Sequence, residues 1–163
     1  MLNRRLFLSA GTAALATAFV TPGWVAASRA AETFKVMHTE AEWRKILTPA
    51  QYNILRDEGT ERAGSSPLLE EHRKGIFACA GCDLDLYSSE TKFDSGTGWP
   101  SFWAPLPHAI GTRVDGSFGM TRTAVYCSQC GGHLGHVFDD GPPPTGLRYC
   151  MNGLALKFKP AAA

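Results

Sequence analysis

Two cysteine pairs with the same spacing are the feature that most constrains the fold of this chain. Two residues separate Cys79 from Cys82, and two separate Cys127 from Cys130. A C-x-x-C turn can present two thiolates to one ion, and two such pairs match a tetrahedral zinc ion with four cysteine ligands. Residues 83–126 form a long loop between the pairs, but the entropic cost of closing a loop grows only logarithmically with its length. We therefore predict a structural Zn(Cys)4 site.

A second grouping of metal ligands stays open on spacing alone. A Cys2His2 site would use four residues that are close in sequence: Cys127, Cys130, His133 and His136. The first C-x-x-C pair would then be a disulfide or a redox pair. The two groupings differ in an observable way, because only the second requires a histidine to hold the metal.

The fifth cysteine is the candidate for chemistry. Five is an odd number, so the cysteines cannot all be paired within the chain. If four of them bind zinc, Cys150 remains. In a strand, the period of two would place Arg148, Cys150 and Asn152 on one face. A guanidinium neighbour favours the thiolate, and an amide can orient a substrate oxygen or the thiolate. Cys150 is thus a candidate nucleophile, and the alternative is an inert buried thiol.

The first residues of the chain resemble an export signal. Arg4 and Arg5 precede an apolar run at residues 6–20, which is shorter than the about 20 residues that a membrane helix needs. Small residues follow the run and fit a cleavage site. The paired arginines are typical of the twin-arginine route, with the general secretory route as the alternative. We therefore expect a twin-arginine signal peptide at residues 1–30 and one mature domain at residues 31–163.

The charge balance limits the classes of partner. The chain has 16 lysines and arginines and 15 aspartates and glutamates, which gives a formal charge of +1. Nucleic-acid-binding domains usually carry a basic excess, so we predict no nucleic-acid partner. The signal predicts an exported, periplasmic protein with no membrane span in its mature form, and we expect it to be a monomer.

Helical signals are confined to the start of the mature chain. Thr39 and Thr48 are each followed three residues later by a glutamate or glutamine, which is the capping-box spacing of two short helices. From Gly75 onward, short β-prone runs broken by Gly, Pro and Asp replace the helical period. Asp115 and Gly116 mark a hairpin turn. The predicted strands are residues 75–79, 84–87, 112–114, 117–127 and 147–158. We therefore predict a mainly antiparallel β domain with short N-terminal helices.

Several longer motifs resemble those of one known family. In chain order, the motifs are GTE at residues 59–61, GTGWPSF at 96–102, HLGHVF at 133–138, DGP at 140–142 and RYCMN at 148–152. Together they resemble methionine sulfoxide reductase B, and the resemblance extends over residues 43–158. It implies two antiparallel sheets, a structural zinc ion and reduction of the R epimer of methionine sulfoxide in proteins, where each epimer has its own reductase.

The resemblance also implies roles for individual residues. Cys150 becomes the nucleophile, and the other catalytic candidates are His133, His136, Arg148 and Asn152. The implied substrate-binding residues are Trp99, Phe102 and Phe138, with the indole of Trp99 facing the substrate methyl group. One of the two histidines is expected to donate a proton, because attack on the sulfoxide sulfur drives negative charge onto its oxygen. Glu61 belongs to the shared motifs, but the sequence gives it no physical role.

The chain departs from the family pattern at one position. Attack by Cys150 would leave a sulfenic acid that must be reduced before the next cycle. Many members of the family carry a resolving cysteine where this chain has Thr97. We therefore predict a one-cysteine cycle in which an external thiol or a thioredoxin-like dithiol partner regenerates the enzyme. The expected substrates are exported proteins that contain methionine sulfoxide.

Two other functions are compatible with parts of the sequence. A zinc-stabilised β module could bind ligands without catalysis, and Cys150 would then be unreactive. A thiol-disulfide oxidoreductase would use Cys79 and Cys82, which would then be free in the zinc-loaded protein. Neither alternative explains why Trp99, two histidines and Cys150 occur together.

Overall fold

The computed structural model of the chain describes residues 33–162, and the predicted signal peptide and its cleavage site lie outside this range. Within the described part, no helix has the length and apolar character needed to cross a membrane.

Two short helices come first. The first, α1, spans Glu40–Ile46, and the second, α2, spans Pro49–Leu55. In α1, the Thr39 hydroxyl accepts a hydrogen bond from the Glu42 N–H, and the Glu42 side chain accepts one from the Thr39 N–H. In α2, Thr48 and Gln51 make the same pair of bonds. These reciprocal bonds satisfy donors that the first helical turn leaves free. The prediction of two capped helices is confirmed.

Nine strands follow between residues 75 and 160. They are β1 Gly75–Cys79, β2 Asp85–Ser88, β3 Lys92–Phe93, β4 Ser101–Phe102, β5 Ile110–Asp115, β6 Arg122–Cys127, β7 His133–Phe138, β8 Arg148–Met151 and β9 Leu156–Pro160. They form a three-stranded sheet in the order β2-β1-β9 and a six-stranded sheet in the order β3-β4-β8-β7-β6-β5. Every pairing is antiparallel. The predicted fold class is confirmed.

Two predicted strands are longer than the observed ones. The run at residues 147–158 is divided, because β8 ends before a 3-10 turn at Gly153–Ala155 and β9 then joins the other sheet. A Cβ atom at Gly153 would lie 1.8 Å from the Ser66 hydroxyl, so the chain can make this close approach only with glycine. The run at residues 117–127 likewise begins with the hairpin loop, and β6 starts only at Arg122.

Aromatic side chains join the two sheets. Phe102 of the large sheet stacks on Tyr87 of the small sheet with ring centroids 4.4 Å apart, and its edge contacts Phe77 at 5.0 Å. The Tyr87 hydroxyl also lies 3.2 Å from the Met151 sulfur on β8. All four side chains are completely buried. Because successive strand residues point to opposite faces, residues next to Phe102 and Met151 must face away from this core.

Candidate active site

Cys150 lies at the centre of a row that crosses the large sheet on the face away from the core. Its neighbour on β4 is Ser101, and its neighbour on β7 is His136. Residues directly opposite each other on neighbouring strands project from the same face of the sheet and can interact. Tyr149 and Met151 alternate with Cys150 along β8 and belong to the core side, where each contacts Tyr87. Strand pairing therefore places a histidine beside the cysteine.

A small cavity opens over this row. Its volume is about 130 Å³. Its lining residues are Thr60, Trp99, Arg122, Gly135, His136, Phe138, Cys150 and Asn152. The structure thus brings together five of the residues that the sequence analysis singled out. Thr60, from the GTE motif, and Arg122 complete the wall, and the sequence predicts a site role for neither.

The structure places Phe102 in the core, away from the cavity. Its side chain is completely buried, stacks on Tyr87 and does not line the cavity. Ser101, the preceding residue, projects beside Cys150, so the alternation along β4 sends Phe102 to the opposite face. Phe102 is a core residue that packs beneath the site.

Trp99 and Asn152 are both held by the backbone of Glu61. The indole Nε1 of Trp99 donates to the Glu61 carbonyl oxygen at 3.2 Å. The Glu61 N–H donates to Asn152 Oδ1 at 3.0 Å, and Asn152 Nδ2 donates to the Leu134 carbonyl at 3.1 Å. Asn152 is buried. Its amide is thus engaged at both ends with the backbone, and its position at the cavity wall is fixed.

The side chain of Glu61 holds the turn that follows Cys150. Its carboxylate accepts from the backbone N–H groups of Gly153 and Leu154, the second at 3.0 Å. The residue is buried. A buried carboxylate is stable only when its oxygens are hydrogen-bonded. These bonds connect the turn after β8 to Glu61, whose carbonyl oxygen also accepts from the Trp99 indole. Sequence reasoning found no role for Glu61, because its partners lie 38 to 93 residues away along the chain.

We expect Glu61→Gln to weaken both folding and activity. The amide would present an NH2 group to one of the two backbone donors, and an unsatisfied buried donor costs about 1–3 kcal/mol. Urea unfolding should show a lower midpoint with an unchanged slope. Glu70→Gln is the matched control, since the Glu70 side chain is 90% exposed and such changes usually stay within about 0.5 kcal/mol. Equal stability of the two variants would contradict a clamping role.

Asp115 orients His136. The Nε2 atom of His136 donates to Asp115 Oδ2 at 2.7 Å. The pKa of Asp115 is held well below its ordinary value, first by the backbone N–H of Ser117 and then by the bond from His136. An ionised carboxylate only accepts hydrogen bonds, so Nε2 carries a proton and Nδ1 is the nitrogen that can exchange one. From the sequence, Asp115 is predicted only as a turn residue.

His133 packs behind His136 and away from the cavity. The two rings meet edge to face with centroids 5.3 Å apart. Among residues 33–162, neither ring nitrogen of His133 has a hydrogen-bond partner. Burial lowers the pKa of His133 to about 4, because desolvation disfavours the cation. His133 is therefore neutral near pH 7, and His136 is the histidine that lines the cavity with Cys150.

Arg148 is held beside the cysteine by an acidic partner. Its Nε and Nη2 atoms donate to the two oxygens of Asp140 at 2.9 and 2.8 Å. Its guanidinium carbon lies 4.4 Å above the ring of Phe138, which lines the cavity. The pKa of Arg148 is raised, chiefly by the bond to Asp140 and further by the Cys150 sulfur. A fixed cation thus neighbours Cys150.

The four remaining cysteines form one cluster. The sulfur atoms of Cys79, Cys82, Cys127 and Cys130 all lie within 4.8 Å of one another. Two sulfur pairs that join the motifs are 3.7 and 3.5 Å apart. A tetrahedral zinc ion with bonds of about 2.3 Å would place its sulfur ligands roughly 3.8 Å apart, so the cluster fits zinc. His133 and His136 are not part of it, which argues against the Cys2His2 grouping.

A mainly β fold with a four-cysteine cluster that fits zinc, and a cavity that joins a lone cysteine to a histidine and a tryptophan, defines a thiol-dependent oxidoreductase. The SelR domain model matches residues 47–160. Peptide methionine sulfoxide reductase MsrB of Agrobacterium fabrum is 54% identical over 77% of this chain and 94% of its own length. The protein of the same name from Pseudomonas putida is 56% identical over 77% of this chain and 96% of its own length. This chain belongs to the MsrB family.

Proposed function

We propose that this chain reduces the R epimer of methionine sulfoxide in proteins. The observation that carries the proposal is the row of Ser101, Cys150 and His136 under a cavity bounded by Trp99. The relatives named peptide methionine sulfoxide reductase MsrB support the substrate class. A cavity of about 130 Å³ has room for the end of one side chain and not for a folded surface.

Each reacting atom has a neighbour of suitable chemistry. Nδ1 of His136 first accepts the thiol proton of Cys150. The thiolate then attacks the sulfoxide sulfur, and Nδ1 gives that proton to the oxygen as negative charge develops there. Oxygen is transferred to the cysteine, so methionine leaves and Cys150 becomes a sulfenic acid. Arg148 favours the thiolate before attack. The apolar face of Trp99 contacts the methyl group of the substrate.

Regeneration is proposed to need an external thiol. Thr97 occupies the position of the resolving cysteine, and its hydroxyl lies 3.8 Å from the Cys150 sulfur. The other four cysteines are gathered at the proposed zinc site. Two thiols from a dithiol partner would convert the sulfenic acid to thiol and water, and the partner would become a disulfide. A thioredoxin-like protein fits this chemistry.

We further propose that the chain acts outside the cytoplasm. Residues 1–30 have the charge pattern of a twin-arginine signal. The substrates would then be oxidised proteins of the same compartment. Fractionation of cells that express the full chain tests this proposal, and retention of an uncleaved protein in the cytoplasm would contradict it.

We expect the zinc-loaded protein to reduce R-methionine-sulfoxide peptides and to leave the S epimer unchanged. The sulfoxide sulfur is chiral because it carries an oxygen, a methyl group, the side-chain carbon and a lone pair. A site in which Cys150 contacts the sulfur, His136 the oxygen and Trp99 the methyl group accepts only one epimer. Separate peptides of each epimer with dithiothreitol as reductant make the measurement. Turnover of the S epimer would contradict the proposed specificity, and no turnover of either would leave a non-catalytic binding module.

A further inference from the structure

Three hydroxyl groups form a chain that ends at the Cys150 sulfur. The Ser101 and Ser95 hydroxyls are 2.7 Å apart, and those of Ser95 and Thr97 are 2.8 Å apart. The Thr97 hydroxyl lies 3.8 Å from Cys150 Sγ. At its other end, the Ser101 hydroxyl lies 3.1 Å from the Trp99 carbonyl oxygen. Ser101 is completely buried, so its hydroxyl depends on these partners.

The chain of hydroxyls can be ordered in two ways. Each hydroxyl has one proton and can both donate and accept. When Cys150 is a thiol, each group can donate away from the sulfur, and the last bond runs from Ser101 to the Trp99 carbonyl. When Cys150 is a thiolate, all three hydroxyls can rotate to donate toward the sulfur. The two orders correspond to the two protonation states of the nucleophile.

The backbone fixes the position of Thr97 independently of its hydroxyl. The Gly96 N–H donates to Asp94 Oδ1 at 2.9 Å, and the Gly98 carbonyl accepts from the Gly64 N–H at 2.8 Å. Both glycines have positive φ, at 69° and 91°, which few other residues adopt. Replacing the Thr97 side chain by one of the same shape should therefore leave the loop in place.

We propose that Thr97 is a catalytic residue that donates a hydrogen bond to the Cys150 thiolate, and that Ser95 and Ser101 are positioning residues that align its hydroxyl. Charge-assisted hydrogen bonds to an anion are stronger than neutral ones. The chain of hydroxyls thereby places a hydrogen-bond donor at the Cys150 sulfur when it is a thiolate. The hydroxyl at position 97 thereby activates the same sulfur that a cysteine there would resolve. The catalytic role of this chain of hydroxyls rests on the proposed function.

Other charged groups around the sulfur stay constant in the test. His136 faces Cys150 from β7, and Arg148 lies beside it on β8. Arg122 of β6 lines the cavity, and Asp115 of β5 contacts both His136 and Arg122. These groups also surround the Cys150 sulfur. None of them is altered by a substitution at Thr97 or Ser95, so a change in the pH profile reports on the hydroxyls.

The test measures alkylation of Cys150 by iodoacetamide as a function of pH, in the zinc-loaded full-length protein, with the labelled residue identified by mass spectrometry. Thr97→Val should lower the alkylation rate of Cys150 about tenfold in the lower part of the pH range, because a hydrogen bond to the reacting thiolate is lost. Ser95→Ala should lower this rate by less. Thr97→Ser keeps the hydroxyl and should retain the original profile.

Three outcomes would overturn the proposal. The first is a pH profile of Cys150 alkylation that is unchanged in Thr97→Val. The second is a change in Thr97→Ser as large as that in Thr97→Val. The third is an unchanged profile in Ser95→Ala when the profile of Thr97→Val has changed. Zinc content and far-ultraviolet circular dichroism confirm folding of each variant, and Ser95→Ala carries the test if Thr97→Val does not fold. Alkylation needs no sulfoxide, so this result is independent of whether the proposed reductase activity is found.

Discussion

Removal of zinc by a chelator is expected to abolish cooperative folding of the domain that contains the four-cysteine cluster. Cys79 ends β1 in the small sheet and Cys127 ends β6 in the large sheet, so one ion held by the cluster would join the two sheets. Structural zinc contributes roughly 10–16 kcal/mol of apparent binding free energy, whereas a whole domain is stable by about 5–15 kcal/mol. The cluster is mostly buried, and four thiols without a cation lose that contribution.

Thermal unfolding followed by circular dichroism measures this effect, together with the zinc content of each sample. Cys82→Ser should also lose metal and stability, because three thiolates leave the tetrahedron incomplete. His136→Ala is the matched control and should keep one full equivalent of zinc, since its ring contacts Asp115 and not the cluster. A chelated protein with an unchanged transition would refute the structural role of the metal, and zinc loss in His136→Ala would restore the Cys2His2 grouping.

Cys150→Ser should reduce turnover of the R-sulfoxide peptide to the limit of the assay, a loss of roughly four orders of magnitude or more. A serine hydroxyl is hardly ionised near neutral pH and is a weak nucleophile without an adjacent activating base. The substitution changes one atom at the wall of a cavity, so the fold should be retained. Steady-state reduction with dithiothreitol gives the rate, and the unfolding temperature checks the structure.

A single turnover without reductant distinguishes how Cys150 reacts. In the unsubstituted protein, a sulfenic-acid trap should label Cys150, and mass spectrometry should find no internal disulfide that contains it. The Cys150→Ser protein should show neither product. A disulfide between Cys150 and one of the zinc-site cysteines would contradict the one-cysteine cycle. Residual turnover in Cys150→Ser near the original rate would exclude Cys150 as the nucleophile.

Local features of the structure were predictable because each depends on a few consecutive residues. The capping boxes at Thr39 and Thr48 satisfy donors within one helical turn. The alternation along β8 sets Cys150 apart from Tyr149 and Met151 by strand geometry alone. Each C-x-x-C motif presents two thiolates to one ion because its two cysteines lie on the same short turn.

The alternation of a strand does not reveal which face is buried. From the sequence, Phe102 is therefore expected at the substrate. In the structure, Phe102 packs against Tyr87 in the core, and Ser101 lies beside Cys150. Asp115 lies at the hairpin turn, as its sequence predicts. Its hydrogen bond to His136 could not be predicted, because the bond depends on the pairing of β5, β6 and β7. Register and packing determined both roles.

By itself, the sequence determined the capped helices, the antiparallel β character, the four-cysteine set and the lone nucleophile candidate, because spacing and period act over short distances. Tertiary structure alone decided that Glu61 clamps the turn after Cys150, that His136 and not His133 lines the cavity, and that a chain of three hydroxyls ends at the sulfur. These contacts join residues that the chain separates by up to 93 positions. Their geometry follows from how the two sheets pack, which short-range patterns do not encode.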